Sequence, residues 1–409
     1  MAKATEVNDG LELGKPYFCT ECNRSHVKGK IYKDHISFAT FGNKKDEELK
    51  DENITSDEDF EDEAELIEAF SELSEEQDEL EDDFELIGED DSEEIDTGKA
   101  AVKKLPGVGE ATLNKLIKAG FSSLESIAFT PPKVIMDESG LGEKTTSKLV
   151  KASMDKLNLG FKSAEDVWEH RKNIARITTS SQELDDVLGG GAETGSLLEF
   201  FGEFRTGKTQ ICHQLCVNVQ LPKEKGGLGG RALYIDTEGT FRPERIIHMA
   251  EALDLDHKKV LKNIIFGRAY NSDHQIVLIK EAANIIKEKN IKLIIVDSLI
   301  GHFRSEYIGR GTLANRQQTI NAHMHDLLRL TDIHTELAIV VTNQVQSKPD
   351  TFYGNPLKAA GGNIVAHGST IRVFLRKGKG EQRVAKVVDA PHLPEAEAVF
   401  CITENGITD

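Results

Sequence analysis

Leu197-Leu198-Glu199-Phe200-Phe201 runs directly into Gly202-Glu203-Phe204-Arg205-Thr206-Gly207-Lys208-Thr209, and a helical pattern follows from Gln210 to Val219. The second stretch fits G-x4-G-K-[ST], and an apolar strand before it with a helix after it is the context that motif requires. Glycines let successive backbone amides fold around an anionic phosphate at a helix N-terminus, where N–H groups are unpaired and the peptide dipoles point favourably. The spacing predicts a phosphate site over 202–209, with the Lys208 ammonium on the β- and γ-phosphates and the Thr209 hydroxyl on magnesium.

Further β-rich apolar runs alternate with helical segments: Ala232 to Ile235, Ile264 to Phe266, Leu293 to Val296, Ala338 to Val341, Ile371 to Leu375 and Val384 to Val388. Near-continuous apolar strands separated by helices predict an α/β domain over 176–409, with a central, mostly parallel sheet covered on both faces. Two of these strands end in carboxylates. Asp297, after Leu293 to Val296, suits the magnesium shell of a phosphate site. Asp236 and Glu238, after Ala232 to Ile235, offer a base for an attacking water. The two-residue strand period puts both on one face, so spacing does not choose between them, and either also reads as a turn cap.

Upstream, Leu105-Pro106-Gly107-Val108-Gly109 precedes a helical pattern through Leu113, Leu116 and Ile117 that Gly120 would stop. Ser139-Gly140-Leu141-Gly142 opens a second, so 99–157 reads as a small all-α domain of two helix pairs, joined to the α/β domain by a linker over 158–175. Residues 44–98 are acidic: between 44 and 96 stand 28 Asp and Glu against three Lys, a net of -25, which leaves +5 for the rest of a chain whose total is -20. The total therefore says nothing against a nucleic-acid partner. High charge and few aromatics predict disorder over this stretch, although Phe60, Ala64, Ile67, Phe70 and Leu73 recur at helical steps and leave a transient amphipathic helix open.

In residues 1–43, Cys19-x2-Cys22-x3-His26-x8-His35 offers two thiolates and two imidazoles, a set suited to a structural zinc ion. The His pair is wider than usual, and paired free thiols beside unrelated histidines are the alternative. Five cysteines are too few for a disulfide framework, no run of 18 apolar residues occurs, and the N-terminus lacks a signal-peptide layout. A cytoplasmic protein with no membrane partner is expected.

The blocks GEFRTGKTQICHQL, YIDTEGTFRPER, LIIVDS, RGTLANRQQ, VVTNQV, GGNIVAHGS, RKGKGEQR and LPEAEAVF, in this order within 100–409, resemble the RecA-like recombinases, in particular their archaeal branch. Arg205-Thr206 looks closer to the eukaryotic branch. The resemblance implies a RecA-like P-loop ATPase core behind a helix-hairpin-helix domain, with ATP and Mg2+ held by Gly202, Glu203, Phe204, Arg205, Thr206, Gly207, Lys208 and Thr209, and Asp297 completing the magnesium site. It selects Glu238 over Asp236 as the water-activating carboxylate, gives Arg245 to the adenine, and makes Gln344 the sensor of the γ-phosphate. Asp389 and Pro391 match the segment that caps the ATP of an adjacent subunit.

Two stretches resemble the family's single-stranded DNA loops: 304–316, with Arg304, Arg310 and Arg316 among glycines, and 347–362, sixteen residues without helix or strand periodicity that carry Lys348 and Lys358. Phe352 and Tyr353 are available there to stack on bases. Gly107 and Gly109 match the turn that meets duplex DNA through backbone amides. Phe161 and Ala164 match the pair by which relatives add a strand to a neighbouring subunit, so a homo-oligomer, filament or ring, is implied. The expected function is ATP-dependent strand exchange on single- and double-stranded DNA in recombinational repair, near the nucleoid, with mediator proteins as partners of the acidic segment. The alternatives are a non-exchanging mediator paralogue and a hexameric helicase on the same core.

Overall fold

The structure, a computed structural model, describes residues 16–19, 24–27, 98–347 and 357–409, with backbone alone at the first two stretches, His170, Arg310 and Ser347. Cys22, His35, the Phe60 to Leu73 stripe, Lys348, Phe352 and Tyr353 lie outside the described residues. The chain divides into two units, Met1–Leu86 and Ile87–Asp409. In the first, β1 (Pro16–Cys19) and β2 (Arg24–Val27) pair antiparallel, with Tyr17 opposite His26 and Cys19 opposite Arg24.

In the second unit, the helices Glu110–Lys118, Leu124–Ala128, Pro132–Ser139 and Glu143–Lys156 close around Leu105, Leu116, Phe121, Ile127, Ile135 and Leu149. Each start is legible in the sequence. Gly107 takes φ +85°, a left-handed turn that a side chain disfavours, and delivers the chain to Gly109, the N-cap of the first helix. Ser123 and Ser126 form a reciprocal capping box on the second. Pro132 opens the third, and Gly140 ends it in the left-handed conformation. Ser163 and Asp166 cap the linker helix Ala164–Lys172 in the same reciprocal way.

The C-terminal part begins with β3 (Arg176–Ile177), which pairs with β4 (Ala192–Glu193). It continues with β5 (Ser196–Gly202), β6 (Arg231–Asp236), β7 (Ile264–Arg268), β8 (Ile291–Asp297), β9 (Ala338–Asn343), β10 (Val345–Ser347), β11 (Leu357–Ala359), β12 (Ile371–Lys377), β13 (Gln382–Asp389), β14 (Glu397–Thr403) and β15 (Gly406–Thr408). Nine strands form one sheet in the order β15-β14-β13-β12-β5-β9-β8-β6-β7. The six from β12 to β7 run parallel, and β13, β14 and β15 extend the sheet antiparallel. The seven strands expected from the apolar runs all lie in this sheet, and β14 and β15 are further strands in it that those runs do not include.

Strand alternation explains why these runs read as continuously apolar. Leu198, Phe200, Tyr234, Leu293, Ile295 and Val340 enter one core, while Leu197, Leu233, Ile235, Ile294, Val296 and Val341 enter the other on the opposite face. Both faces are covered by helices, so neither set tolerates polar residues. Burying one such side chain is worth about 1.5–3 kcal/mol, and truncating Ile295 to Ala would cost about 2–5 kcal/mol. Because β5, β9, β8 and β6 are adjacent and parallel, their C-terminal ends meet along one edge. That edge lies beside the point where the chain leaves β5 to build strands on both sides of it, the usual ligand crevice of such sheets.

Two loop expectations are corrected. The 304–316 stretch is a helix Gly301–Glu306, a 3-10 turn Arg310–Thr312 and the start of the long helix Leu313–Ile333. Phe303, fully buried in the second core, holds the first of these in place; the glycines had suggested a flexible loop. The 347–362 stretch has a stem, because β10 and β11 pair antiparallel with Val345 opposite Ala359 and Ser347 opposite Leu357.

Candidate functional site: a phosphate cleft at the edge of the sheet

Gly207 ends the P-loop at φ +103° and is the N-cap of the helix Lys208–Asn218. A Cβ there would come within 2.7 Å of Ile402 Cδ1, so glycine answers both the backbone conformation and the space. Inside the loop, Thr206 Oγ1 donates to the Glu203 carbonyl at 2.8 Å. The Lys208 ammonium donates to the carbonyls of Gly202 (3.0 Å) and Glu203 (2.9 Å). Burial pushes its pKa down, against the pull of Asp297 and Glu238.

Asp297, 3% exposed at the end of β8, is the hub of the floor. Oδ2 accepts from Thr209 Oγ1 and from Tyr234 OH, each at 2.7 Å, and Oδ1 accepts from Thr342 Oγ1. Burial raises its pKa, and these three hydroxyls act in the opposite direction. The paired oxygens of Thr209 and Asp297 beside Lys208 are a hard, anionic donor set that fits Mg2+ between protein and phosphate.

The carboxylate pair that spacing left open is separated by the backbone. β6 ends at Asp236, so the two-residue period does not extend to Glu238. Asp236 is 1% exposed and folds back into the turn. It accepts the amides of Glu238 (2.9 Å), Gly239 (2.7 Å) and Phe241 (3.1 Å), and Arg268 pairs with it at 3.0 Å. Glu238 instead faces the cleft. Its Oε1 accepts from Ser298 Oγ at 2.7 Å and from Gln344 Nε2 at 2.8 Å, while Gln344 Oε1 accepts from Arg304 Nη1 at 3.1 Å. A continuous hydrogen-bonded line thus runs from the cleft to the helix that begins the 304–316 stretch.

The cleft, about 1160 Å3, takes in all of 202–209 together with Glu238, Asp297 and Gln344. It also includes Ser298, Arg242, Lys377 and Arg383, which sequence reasoning missed. The alternating basic residues of RKGKGEQR on β12 and β13 were the available signal for the last two. Arg245 is placed differently from a free stacking group: it donates to Gln210 Oε1 at 2.6 Å and to the carbonyls of Thr403 (2.5 Å) and Glu404. Those bonds tie the end of β14 to the P-loop helix. Asp389 ends β13 outside the cleft of its own chain, with Pro391 beyond it. Phe161 is fully exposed, and Ala164 opens the linker helix. Lys358 lies on β11, and Gly107 and Gly109 lie at the first helical turn.

A parallel sheet with a P-loop on a central strand, a carboxylate at the end of β8 and a second carboxylate after β6 defines a RecA-type ATPase core. Comparison places it more closely. The Rad51 family profile matches residues 170–409, and a SAM-like helix-hairpin-helix tandem profile matches 100–155. The chain is 54% identical over 309 residues to the DNA repair and recombination protein RadA of Metallosphaera sedula, covering 75% of this chain and 95% of that one. It is 51% identical over 323 residues to the protein of the same name from Aeropyrum pernix, covering 79% and 99%. The chain belongs to the Rad51 family of RecA-like recombinases, as the sequence blocks implied.

Proposed function

We infer that this chain is an ATP-dependent DNA recombinase: a DNA-dependent ATPase that assembles on single-stranded DNA and exchanges it into a homologous duplex in recombinational repair. The observation that carries the reading is the hydrogen bond between Glu238 and Gln344, which joins a carboxylate in the phosphate cleft to the residue that leads into β10. The P-loop amides and Lys208 would bind the triphosphate. Mg2+, held by Thr209 with Asp297 behind it, would neutralise phosphate charge. Glu238 would orient a water and accept its proton, and Gln344, sharing the same oxygen, would change partner according to whether a γ-phosphate is present. Hydrolysis then biases two arrangements of the β10–β11 stem, and so the affinity for DNA.

Arg304, Arg310, Arg316, Lys348 and Lys358 would hold the single strand, and the amides at Gly107 and Gly109 the duplex. Phe161 with Ala164 would join neighbouring subunits, and Asp389 and Pro391 would cover the neighbour's nucleotide, with Arg245 at the adenine end. The acidic segment would compete with DNA for these basic groups or receive mediator proteins. Zinc on Cys19, Cys22, His26 and His35 is a further proposal. The β1–β2 pairing supports it by bringing the strands that carry Cys19 and His26 side by side, and zinc quantification in the full chain before and after chelation tests it.

A strand-exchange assay tests the function. The chain with ATP and Mg2+ should move a labelled strand from duplex to a homologous single strand, and Lys208→Ala should not. ATP hydrolysis without any exchanged product would point to the mediator paralogue instead.

A further inference from the structure

Three residues before the P-loop, β5 carries a carboxylate in the interior of the sheet. Glu199 is 0% exposed. Its Oε2 accepts from Arg372 Nε on β12 at 2.6 Å, and its Oε1 accepts from Asn343 Nδ2 on β9 at 2.7 Å. The same Asn343 nitrogen donates to the Ala360 carbonyl at 2.7 Å, and the Ala360 amide donates to the Gln344 carbonyl at 2.8 Å. Ala360 follows β11 directly, so one buried carboxylate is linked to the strand that ends in the P-loop, to the residue before Gln344 and to the base of the β10–β11 stem.

A buried carboxylate is costly, and a well-packed apolar residue in its place is often as stable or more so. Fold stability alone is therefore a weak account of Glu199. Arg372, which lies over the Phe201 ring at 5.1 Å, would suffice to pair the charge. Asn343 is also fully buried, and its Oδ1 has no partner among the described residues, so the amide is held through its nitrogen alone. An amide held on one side, between Glu199 and a loop carbonyl, can pass a displacement of Gln344 to the loop only while the carboxylate keeps that nitrogen in place.

We propose that Glu199 is a positioning residue: through Asn343 it fixes the base of the β10–β11 stem relative to Gln344, so that a change at Glu238 reaches the loop. The inference rests on the reading of Gln344 given above. It concerns coupling, not the chemistry of the cleft, since neither Glu199 nor Asn343 lines it.

The test uses the full chain with Glu199→Gln, which keeps the volume but has one oxygen for two donors, so that with the oxygen drawn to the charged Arg372 an amide N–H is set against Asn343 Nδ2, and separately Asn343→Leu, which removes both amide contacts and leaves the ion pair. ATP hydrolysis is measured with and without a single-stranded oligonucleotide, alongside the KM for ATP and thermal melting. In the wild type, stimulation by the oligonucleotide must first be seen; without it the functional reading fails, whatever Glu199 does. Given that stimulation, both variants should lose at least fivefold in the stimulated-to-unstimulated ratio, with the unstimulated rate and KM within twofold of wild type. An unchanged ratio in the variants that fold, or stimulated and unstimulated rates falling together, overturns the proposal. If Glu199→Gln does not melt cooperatively, Asn343→Leu decides. If neither folds, the network is structural and the proposal falls.

Discussion

Gln344 Nε2 donates to Glu238 Oε1 at 2.8 Å, across 106 residues of sequence and from the end of one strand to the turn after another. A hydrogen bond to a charged group is worth about 1.5–3 kcal/mol, enough to bias two arrangements of a loop but not to hold the domain together. Gln344→Ala should therefore leave ATP affinity within a few-fold and lower DNA-stimulated hydrolysis about tenfold, equivalent to about 1.4 kcal/mol in the barrier. Steady-state rates with and without oligonucleotide check this; stimulation that survives the substitution removes Gln344 from the relay.

Lys208 presents its ammonium to two P-loop carbonyls, a position from which phosphate oxygens would draw it away. Lys208→Ala should abolish tight nucleotide binding and lower hydrolysis by roughly 100-fold or more, the scale of removing one donor aimed at developing charge. Because the side chain lies at the cleft and outside both cores, the melting temperature without nucleotide should hardly move. Titration with a fluorescent ATP analogue reads the effect directly, and undiminished affinity would contradict the assignment.

Phe161 is fully exposed in the linker, and no aromatic packs on it among the described residues. Phe161→Glu should leave the melting temperature of the free subunit unchanged and shift the ATP- and DNA-dependent species in light scattering from large assemblies to single subunits. Assemblies of unchanged size would show that subunits join elsewhere.

His323 is 1% exposed, and burial lowers its pKa to about 4. Its Nε2 lies 3.1 Å from Gln275 Nε2, an amide donor, so the ring is neutral with its proton on Nδ1. Between the folded value and an unfolded value of about 6.5 the unfolded chain binds more protons, so the contribution is intact above that pH and is lost as pH falls toward 4. The limit is about 3 kcal/mol. The buried carboxylates Asp297 and Glu199, with raised pKa values, act in the opposite direction, so total stability is a poor readout. The difference in melting temperature between wild type and His323→Leu isolates the histidine. It should move in favour of the variant between pH 7 and pH 5, and a constant difference would contradict the assignment.

The central strands β5, β9, β8 and β6 were legible because they are buried along almost their whole length, which leaves nearly continuous apolar runs, and the P-loop was legible because its chemistry demands glycines at fixed spacing. Glu238 was not separable from Asp236 by spacing, because what distinguishes them lies in the turn after β6: Asp236 accepts the amides of Glu238, Gly239 and Phe241, while Glu238 faces the cleft. Helix Gly301–Glu306 was hidden because one residue, Phe303, anchors it while its neighbours read as loop. The Glu199–Asn343–Ala360 bridge left no trace in the sequence. Its members stand 144 and 17 residues apart and meet only because β5 and β9 are neighbours in the sheet.

A triphosphate in the cleft would be linked to DNA through Gln344. The most direct measurement is the rate of ATP hydrolysis by the purified full chain, titrated with a single-stranded oligonucleotide at fixed salt. A rate that climbs several-fold and saturates is the predicted result. One flat rate across the titration, with DNA shown to be bound, would contradict it.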